Sequence, residues 1–368
     1  MNSARPDLSH LDPAVKAYVE ALEAEIERLH QDPALTARRP RRSGEIRHAQ
    51  VVDEDVLEDL PDEAEPSEPP TTLNIIVATA SGLAKRTPRH LYTRQRRGGM
   101  GVFDLDSPED EPPAVLAVAD AAQNLLLITS AGRAFRMPVS AVPETAVRGH
   151  GESIVGRLNL LPDEGLAAIL PDQAQGYVAL LGQTGMVRLL RHHVFGEYMK
   201  PGAGLYDPKV FGPLASACWT PGEGDLFIAT RQGRAIRFSE KSVPPTGGPG
   251  IRLSNGDQAV AITAVYPDSG VFLLGADGRG TVRTMEGFAP NKAPGAGGKI
   301  AMTTDHLVGA FTIDGLGDLF IISHLSKIIR FPAGDIPVKD GVVQGVICMA
   351  LRADQPAAAL FTPAFVGI

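Results

Sequence analysis

An internal repeat is the feature that most constrains how this chain can fold. Six segments share an apolar run, a short polar turn and a second run with a basic residue: LNIIVATASGLAKRT, NLLLITSAGRAFRM, GYVALLGQTGMVRLL, DLFIATRQGRAIRF, VFLLGADGRGTVRT and DLFIISHLSKIIRF. The corresponding turn residues, spaced by 50, 53, 48, 45 and 48 positions, are Gly82, Gly132, Gly185, Gly233, Gly278 and Ser326. Repeats of this period are typical of propeller blades and similar arrays.

Each segment predicts a β-hairpin. Glycine in the turn supplies a positive φ without steric cost, and alternation such as AIRF points one set of side chains inward and the other to solvent. A single hairpin cannot bury a core of its own, whereas six hairpins in a ring share one core and leave only short protected edges. The repeat therefore predicts an all-β ring of six units, in which the hairpin with Ser326 departs from the pattern.

A second element recurs later in each unit. Its six copies are RRGGMGVFDL, VRGHGESIVGRL, KPGAGLYD, TGGPGIRL, APGAGGKIAM and VKDGVVQGVICM. Glycines followed by an apolar run predict a sharp loop that re-enters a sheet.

The charge of the chain is unevenly distributed. The net charge is -8, but residues 1–70 hold 8 basic and 17 acidic side chains, a balance of -9, whereas residues 71–368 hold 27 basic and 26 acidic ones, a balance of +1. Residues 51–70 carry nine carboxylates, four prolines and no basic residue, a composition that cannot offset its ordering entropy. We therefore predict three regions: a helix in residues 1–35, a basic then acidic disordered linker in residues 36–70, and the ring in residues 71–368.

The N-terminal region predicts one amphipathic helix. Asp12 can cap it, Pro13 suits its first turn, and apolar residues follow at spacings of 4, 3, 4 and 3. These residues are Val15, Val19, Leu22, Ile26 and Leu29. Docking onto another surface and self-association through this short stripe both remain open.

The sequence resembles the C-terminal domain of DNA gyrase A and its topoisomerase IV counterpart. The resemblance covers residues 73 to about 360 and is carried by QRRGGMG at residues 95–101, close to the gyrase-A box pattern QRRGGKG, by SGLAKRTP before it, and by GPGIRLSNGDQAVAI in the fourth unit. It implies a six-bladed β-pinwheel whose basic outer rim bends and wraps duplex DNA. It also implies a link to a type II topoisomerase.

Two departures from the family bear on activity. Met100 replaces the lysine of the box, so the cation at that place is missing. In the family, the DNA-cleaving core and its Arg-Tyr nucleophile motif lie upstream of this domain, whereas this sequence has 70 residues there. Tyr92 does not match the motif, because Leu91 precedes it and no carboxylate cluster accompanies it. We therefore expect no enzymatic activity, no cofactor and no metal.

The residues expected to contact DNA fall into two sets. Residues 85–97 contain six cations and no acid, and the box follows them with glycines that let backbone N–H groups approach a phosphate. The first set is Lys85, Arg86, Arg89, Arg94, Gln95, Arg96, Arg97, Gly98, Gly99 and Gly101. The second set follows the later hairpin turns, where alternation predicts solvent-facing side chains: Arg136, Arg188, Arg237, Arg283 and Arg330.

Three function classes can be weighed. The first is a pinwheel that binds and wraps duplex DNA with little sequence preference, assisting a type II topoisomerase. The second is a propeller that binds protein, favoured by Met100, the near-neutral ring and the acidic linker. The third, an enzyme, has the least support, since the adjacent His192 and His193 lack metal-spaced partners. No apolar run of 18 residues or signal peptide is present, so we expect a cytoplasmic protein without a membrane partner.

Overall fold

The computed structural model describes residues 68–290 and 293–364. The predicted N-terminal helix and residues 36–67 of the predicted linker lie outside the described residues. The strands of the first three units are β1 (Leu73–Thr79), β2 (Leu83–Pro88), β3 (Val102–Phe103), β4 (Leu105–Asp106), β5 (Pro113–Asp120), β6 (Asn124–Thr129), β7 (Arg133–Pro138), β8 (Gly149–His150), β9 (Glu152–Ser153), β10 (Leu166–Pro171), β11 (Tyr177–Gly182), β12 (Met186–Arg191), β13 (Ala203–Gly204) and β14 (Leu214–Thr220).

The remaining units continue the pattern. Their strands are β15 (Asp225–Thr230), β16 (Arg234–Ser239), β17 (Gly248–Pro249), β18 (Ala259–Val265), β19 (Gly270–Gly275), β20 (Arg279–Thr284), β21 (Lys299–Ile300), β22 (Leu307–Ile313), β23 (Gly317–Ser323), β24 (Lys327–Pro332), β25 (Val338–Lys339), β26 (Val346–Ile347) and β27 (Pro356–Pro363). One helical turn, α1 (Pro208–Phe211), precedes β14, and 3-10 turns occupy Arg89–Leu91, Val139–Ala141, Val155–Arg157, His192–Phe195, Glu240–Ser242 and Ala333–Asp335.

The strands form six blades, which confirms the predicted all-β pinwheel. In order from centre to rim, blade 1 is β5-β1-β2-β9, blade 2 is β10-β6-β7-β13, blade 3 is β14-β11-β12-β17, blade 4 is β18-β15-β16-β21, blade 5 is β22-β19-β20 with β25 and β26, and blade 6 is β27-β23-β24-β3. In blades 1 to 5 the outermost strand therefore comes from the next unit along the chain. The outermost strand of blade 6, β3, comes from the first unit and closes the ring.

All six predicted hairpins are present, and their turns use the predicted backbone conformation. The five turn glycines have φ between 70° and 88°, and Ser326 adopts the same left-handed region with φ 57°. The hairpin strands, however, are not half exposed. In β1, for example, Ile75, Ile76 and Val77 are all buried, because each blade is covered on both faces by its neighbours.

The core consists of apolar clusters between adjacent blades. The cluster at the closure joins Ile75 and Val77 of blade 1 to Phe320 and Ile322 of blade 6. The inner strands surround a central cavity of about 250 Å³ lined largely by small side chains such as Ala168. The first and last units are therefore packed against each other as the other neighbours are. No helix in the described ranges is long and apolar enough to cross a membrane.

Candidate nucleic-acid interface

The box loop, residues 93–101, lies at the closure of the ring. It connects the first hairpin to β3, which pairs antiparallel with β24 through Val102–Ile328 and Phe103–Lys327. The Gln95 N–H donates to the Arg330 carbonyl at 2.7 Å, and the Gly98 N–H donates to the Cys348 carbonyl at 2.9 Å. The loop is thus fixed to the last unit by backbone bonds.

The glycines of the box serve this close approach to protein backbone. Gly98 and Gly101 have φ of 84° and 75°. A Cβ on Gly101 would lie 2.7 Å from the Ile328 carbonyl oxygen, closer than atoms can pack without a shift. The N–H groups of Gly98 and Gly99 already donate to Cys348 and Arg96 carbonyls. These two N–H groups are therefore not open to a phosphate, contrary to the expectation from the sequence.

The three arginines of the box remain at the surface. Arg96 is exposed and Arg97 is half-buried, with its Nη1 donating to the Ile347 carbonyl at 2.5 Å. The Arg94 side chain is 40% exposed, and its Nε lies 2.9 Å from Oδ1 of the buried Asp318. Gln95 is half-buried. The box therefore places a cluster of cations on the rim of blade 6.

Two cations of the segment before the box are buried, and the sequence-based assignment of them to DNA contact is corrected here. Lys85 is fully buried and pairs with Asp104 at 2.9 Å. Burial lowers the pKa of the Lys85 ammonium and raises that of the Asp104 carboxyl, while their mutual attraction opposes both shifts. Arg89 is buried as well and pairs with Glu68 at 2.7 Å. Neither side chain can reach a phosphate.

The basic residues that follow the hairpin turns mostly connect one unit to the next. Arg86 Nε donates to the Val142 carbonyl at 3.0 Å, Arg330 Nη1 to the Tyr92 carbonyl at 2.8 Å, and Arg237 Nη1 to the Phe288 carbonyl at 3.3 Å. In each case the accepting residue is the last residue of the turn that follows the hairpin of the neighbouring unit. These three arginines act as clamps between neighbouring blades.

The other three hairpin arginines also have protein partners. Arg283 is buried and donates to the Ala301 and Asp340 carbonyls at 2.8 and 2.7 Å. Arg188 donates to the Leu205 carbonyl at 2.7 Å, and Arg136 pairs with Asp172 at 2.6 Å. We therefore correct the assignment of Arg283 and Arg330, which are both buried, and note that Arg136 alone in this set has an exposed residue surface.

Exposed cations that the sequence reasoning missed lie in the outer loops. Each outer loop leads into an outermost strand, and every one of them carries at least one exposed basic residue; outside the box loop that residue lies in the strand itself or within four positions of it. Outside the box these residues are Arg148, Lys200, Arg252, Lys299 and Lys339. The glycine-rich second element of the repeat was the signal that could have found them.

The surface beside the box also carries apolar side chains. Met100 is 49% exposed and Phe103 is 53% exposed, and the Arg148 guanidinium lies 5.9 Å from the centre of the Phe103 ring. Arg148 belongs to the second outer loop, so residues from two units meet at this edge. The rim of blade 6 thus combines cations with an exposed aromatic ring and an exposed methionine.

A buried charge network lies behind the box at the closure. Glu68 pairs with Arg89 and Arg330, and Arg330 and Arg94 share Asp318. Burial acts to raise the pKa of Glu68, but its bonds with Arg330 and Arg89 outweigh that effect and leave the pKa lowered. The end of the acidic segment is thereby connected to the last blade.

Among the other candidate reactive groups, Tyr92 and Cys348 are buried and Cys218 is half-buried. Tyr92 donates its hydroxyl to Asp104 at 2.8 Å, and burial raises its pKa well above 10. Burial likewise raises the pKa of Cys218 and of Cys348 to about 12. Within residues 68–290 and 293–364, no three His, Cys, Asp or Glu side chains are grouped as metal ligands.

The blade order and the cations of the outer loops define a six-bladed β-pinwheel with a partly basic rim. The chain is similar to the family described as DNA gyrase C-terminal domain, beta-propeller, whose model matches residues 73–110, 123–171, 224–265 and 317–355. These stretches fall in the first, second, fourth and sixth units.

Curated relatives and solved structures agree with this family. DNA gyrase A of Staphylococcus aureus (strain NCTC 8325 / PS 47) is 26% identical over 76% of this chain, and DNA gyrase A of Mycolicibacterium smegmatis is 25% identical over 75%. The matched region spans about a third of each relative, 33% and 34%. The structure of a DNA gyrase A C-terminal domain superposes with a TM-score of 0.70 at 18% identity, covering 78% of this chain and 99% of that one. The C-terminal domain of DNA topoisomerase IV gives 0.57 at 18% identity, covering 80% and 94%.

Proposed function

We propose that this ring binds duplex DNA along its rim, with little sequence preference, and bends or wraps it. The observation that carries the proposal is the presence of an exposed cation in every outer loop. In the box loop these are Arg94 and Arg96. Cations spread around a rim can follow a curved phosphate backbone, and the described ring offers no recognition helix for the major groove.

The contacts we assign follow the exposed residues. Arg94, Arg96 and Arg97 hold phosphates at blade 6, with Arg148 beside them, while Lys200, Arg252, Lys299 and Lys339 extend the path over the other blades.

Met100 leaves the box one cation short of the family pattern, so the remaining loops contribute a larger share of the contacts. Gln95, Gly98, Gly99 and Gly101 support the loop, and Arg86, Arg136, Arg188 and Arg237 keep their protein partners.

Bending requires several of these contacts at once. Curving a 20–30 bp site by 40–90° costs on the order of 1–6 kcal/mol, which has to be recovered along the arc. The box alone covers one blade, so wrapping depends on the outer loops of the other blades as well. In this role the protein is an accessory to a type II topoisomerase in the cytoplasm and performs no catalysis itself.

The experiment compares two triple variants of equal charge change. Arg148→Ala/Lys200→Ala/Lys299→Ala removes three outer-loop cations, whereas Lys209→Ala/Lys241→Ala/Arg352→Ala removes three exposed cations outside the outer loops. Affinity is measured by fluorescence anisotropy on several unrelated duplexes across a salt series. The outer-loop variant should weaken binding on all sequences alike and flatten the slope of log K against log salt by up to about 2.7, at about 0.9 for each lost contact.

The control variant separates specific contact from net charge. It should bind nearly as the parent does. Ligation of nicked circles with bound protein then reports wrapping as a change in linking number, which should fall for the outer-loop variant only. Equal losses for the two variants would show that the rim is not the binding path.

A second function is favoured by one specific observation, the exposed Met100, Val102 and Phe103 at the rim of blade 6. Methionine, aromatic residues and arginine are enriched at protein interfaces. If the parent protein shows no DNA binding that depends on duplex length or on salt, this edge is better assigned to binding a protein partner.

A further inference from the structure

A buried ion pair at the first blade is not explained by stability alone. Lys85 and Asp104 are both fully buried, and Asp104 Oδ2 has no hydrogen-bond partner among the described residues. Replacing a buried ion pair by neutral groups of similar size is often neutral or stabilising, because the charges must be taken out of water. We therefore expect the pair to have a role beyond the stability of the core.

The pair connects three parts of the ring. Lys85 lies on β2, and Asp104 directly follows β3, the strand that closes the ring. The Lys85 ammonium also donates to the carbonyls of Ala146, at 3.0 Å, and Val147 in the second outer loop. We refer to residues 145–151 of that loop as rim loop 2.

Further bonds lock rim loop 2 to the segment after the box. The Gly149 N–H donates to the Asp104 carbonyl at 3.0 Å, and β4 pairs in parallel with β8. Arg148 therefore lies between two fixed positions of the loop: the Val147 carbonyl, which accepts from Lys85, and the Gly149 N–H, which donates to Asp104. Its guanidinium lies over the Phe103 ring, on the strand that Asp104 follows.

We propose that Lys85 and Asp104 are positioning residues for the DNA interface. They fix rim loop 2 against β3 so that Arg148 extends the cationic surface of the box. This inference rests on the proposed DNA binding, and it adds that the box site is built by two units and depends on buried residues that touch no DNA.

The test is the double variant Lys85→Met/Asp104→Asn in the full chain. Methionine keeps the apolar stem of lysine, and asparagine keeps an oxygen for the Tyr92 hydroxyl. The midpoint of urea unfolding should fall by no more than the two lost lysine-to-carbonyl bonds require, because removal of the buried charges offsets part of that loss. Amide hydrogen exchange should accelerate in residues 145–151 but not in the outer loop of residues 196–204, because only rim loop 2 loses its lysine donor.

The DNA readout distinguishes positioning from a purely structural role. The linking-number change per bound protein should fall by about as much in the double variant as in Arg148→Ala, and combining the two should cause no further loss, since both act on one contact. Tyr92→Phe is the matched control, because it removes one bond to Asp104 and leaves the Lys85 donors in place. It should wrap as the parent does.

The outcomes are separable. A double variant that exchanges faster in residues 145–151 yet wraps as the parent does overturns the inference, whereas a parent that binds no DNA overturns the proposed function. If the double variant fails to fold, Phe103→Leu replaces it, since Phe103 is on the surface and its ring is the contact of Arg148. Phe103→Leu should also reduce wrapping, and unchanged wrapping there would count against the positioning of Arg148.

Discussion

Replacing Gly101 by alanine tests whether the box closes the ring. Gly101 has φ 75°, and a Cβ there would lie 2.7 Å from the Ile328 carbonyl oxygen and 3.0 Å from the Met349 methyl carbon. A left-handed backbone costs an alanine about 1–2 kcal/mol. Relief of the clash would move β3 away from β24 and weaken one or two backbone hydrogen bonds, at about 1 kcal/mol each. The sum is a loss of about 2–4 kcal/mol.

Gly256 provides a matched control for this variant. Its φ of 74° is nearly the same, but a Cβ there would have no atom within 4 Å. Gly256→Ala should therefore cost only the backbone share, about 1–2 kcal/mol. The difference between the two variants isolates the close approach of the box to the last blade.

Urea unfolding followed by circular dichroism gives the two free energies of unfolding. Amide hydrogen exchange locates the effect, because Gly101→Ala should speed exchange at the Gly98 and Ala350 N–H groups, which bond across the closure. Equal losses for Gly101→Ala and Gly256→Ala, with unchanged exchange at the closure, would show that the box does not hold the ring closed.

The box, the closure network and the N-terminal charges each allow one further prediction. Met100→Lys should add a phosphate contact at an exposed position, steepen the salt dependence of DNA binding by about 0.9 and increase the linking-number change; an unchanged slope would contradict it. Glu68→Gln should lower the melting temperature near neutral pH, and the difference in melting temperature from the parent should shrink as pH falls below 4.5. A carboxylate whose pKa is lowered in the fold stabilises the protein above its unfolded-state pKa and loses this effect when it is protonated in the folded state. A difference that is constant with pH would argue against these ion pairs. Deleting residues 1–67 removes 8 basic and 16 acidic side chains, so the net charge changes from -8 to 0. DNA binding should become tighter, most of all at low salt. Equal affinities of the two proteins over the salt series would show that this segment does not weaken DNA binding.

The endpoint of that deletion matters for its interpretation. Removing residues 1–70 would also remove Glu68, whose carboxylate pairs with Arg89 and Arg330 at the closure. A change in DNA binding would then mix the loss of acidic charge with a disturbed box loop, since Arg330 shares Asp318 with Arg94. Ending the deletion at residue 67 keeps the closure network intact.

The hairpins were predictable because their signals are local. A turn residue that must adopt positive φ and two flanking apolar runs determine each hairpin, and the repeated spacing indicates a ring. Even Ser326 follows the pattern, because the turn imposes the same conformation on it. The exchange of outer strands between units was not predictable in this way, since strands of two residues such as β3 and β9 carry no periodic pattern.

The burial of individual cations was beyond sequence reasoning for a related reason. Alternation along a strand separates its two faces, but it does not reveal that a neighbouring blade covers both. Lys85 and Arg330 were therefore expected at the surface, while the structure places them between units with carboxylate and carbonyl partners. The exposed cations lie instead in loops whose glycines fix their geometry, and their offsets from the outer strands differ from unit to unit.

The box loop combines two tasks that different residues carry out. Its glycines and the backbone of Gln95 hold the last blade, whereas Arg94, Arg96 and Arg97 present charge at the surface. Met100 sits between Gly99 and Gly101, so its replacement of the family's lysine changes the surface charge without changing the backbone that closes the ring. Under the proposed function, the chain can therefore keep the pinwheel while its affinity for DNA is adjusted at this one side chain. Because different residues carry out the two tasks, surface charge and ring closure have to be varied independently to measure what each contributes to the proposed wrapping.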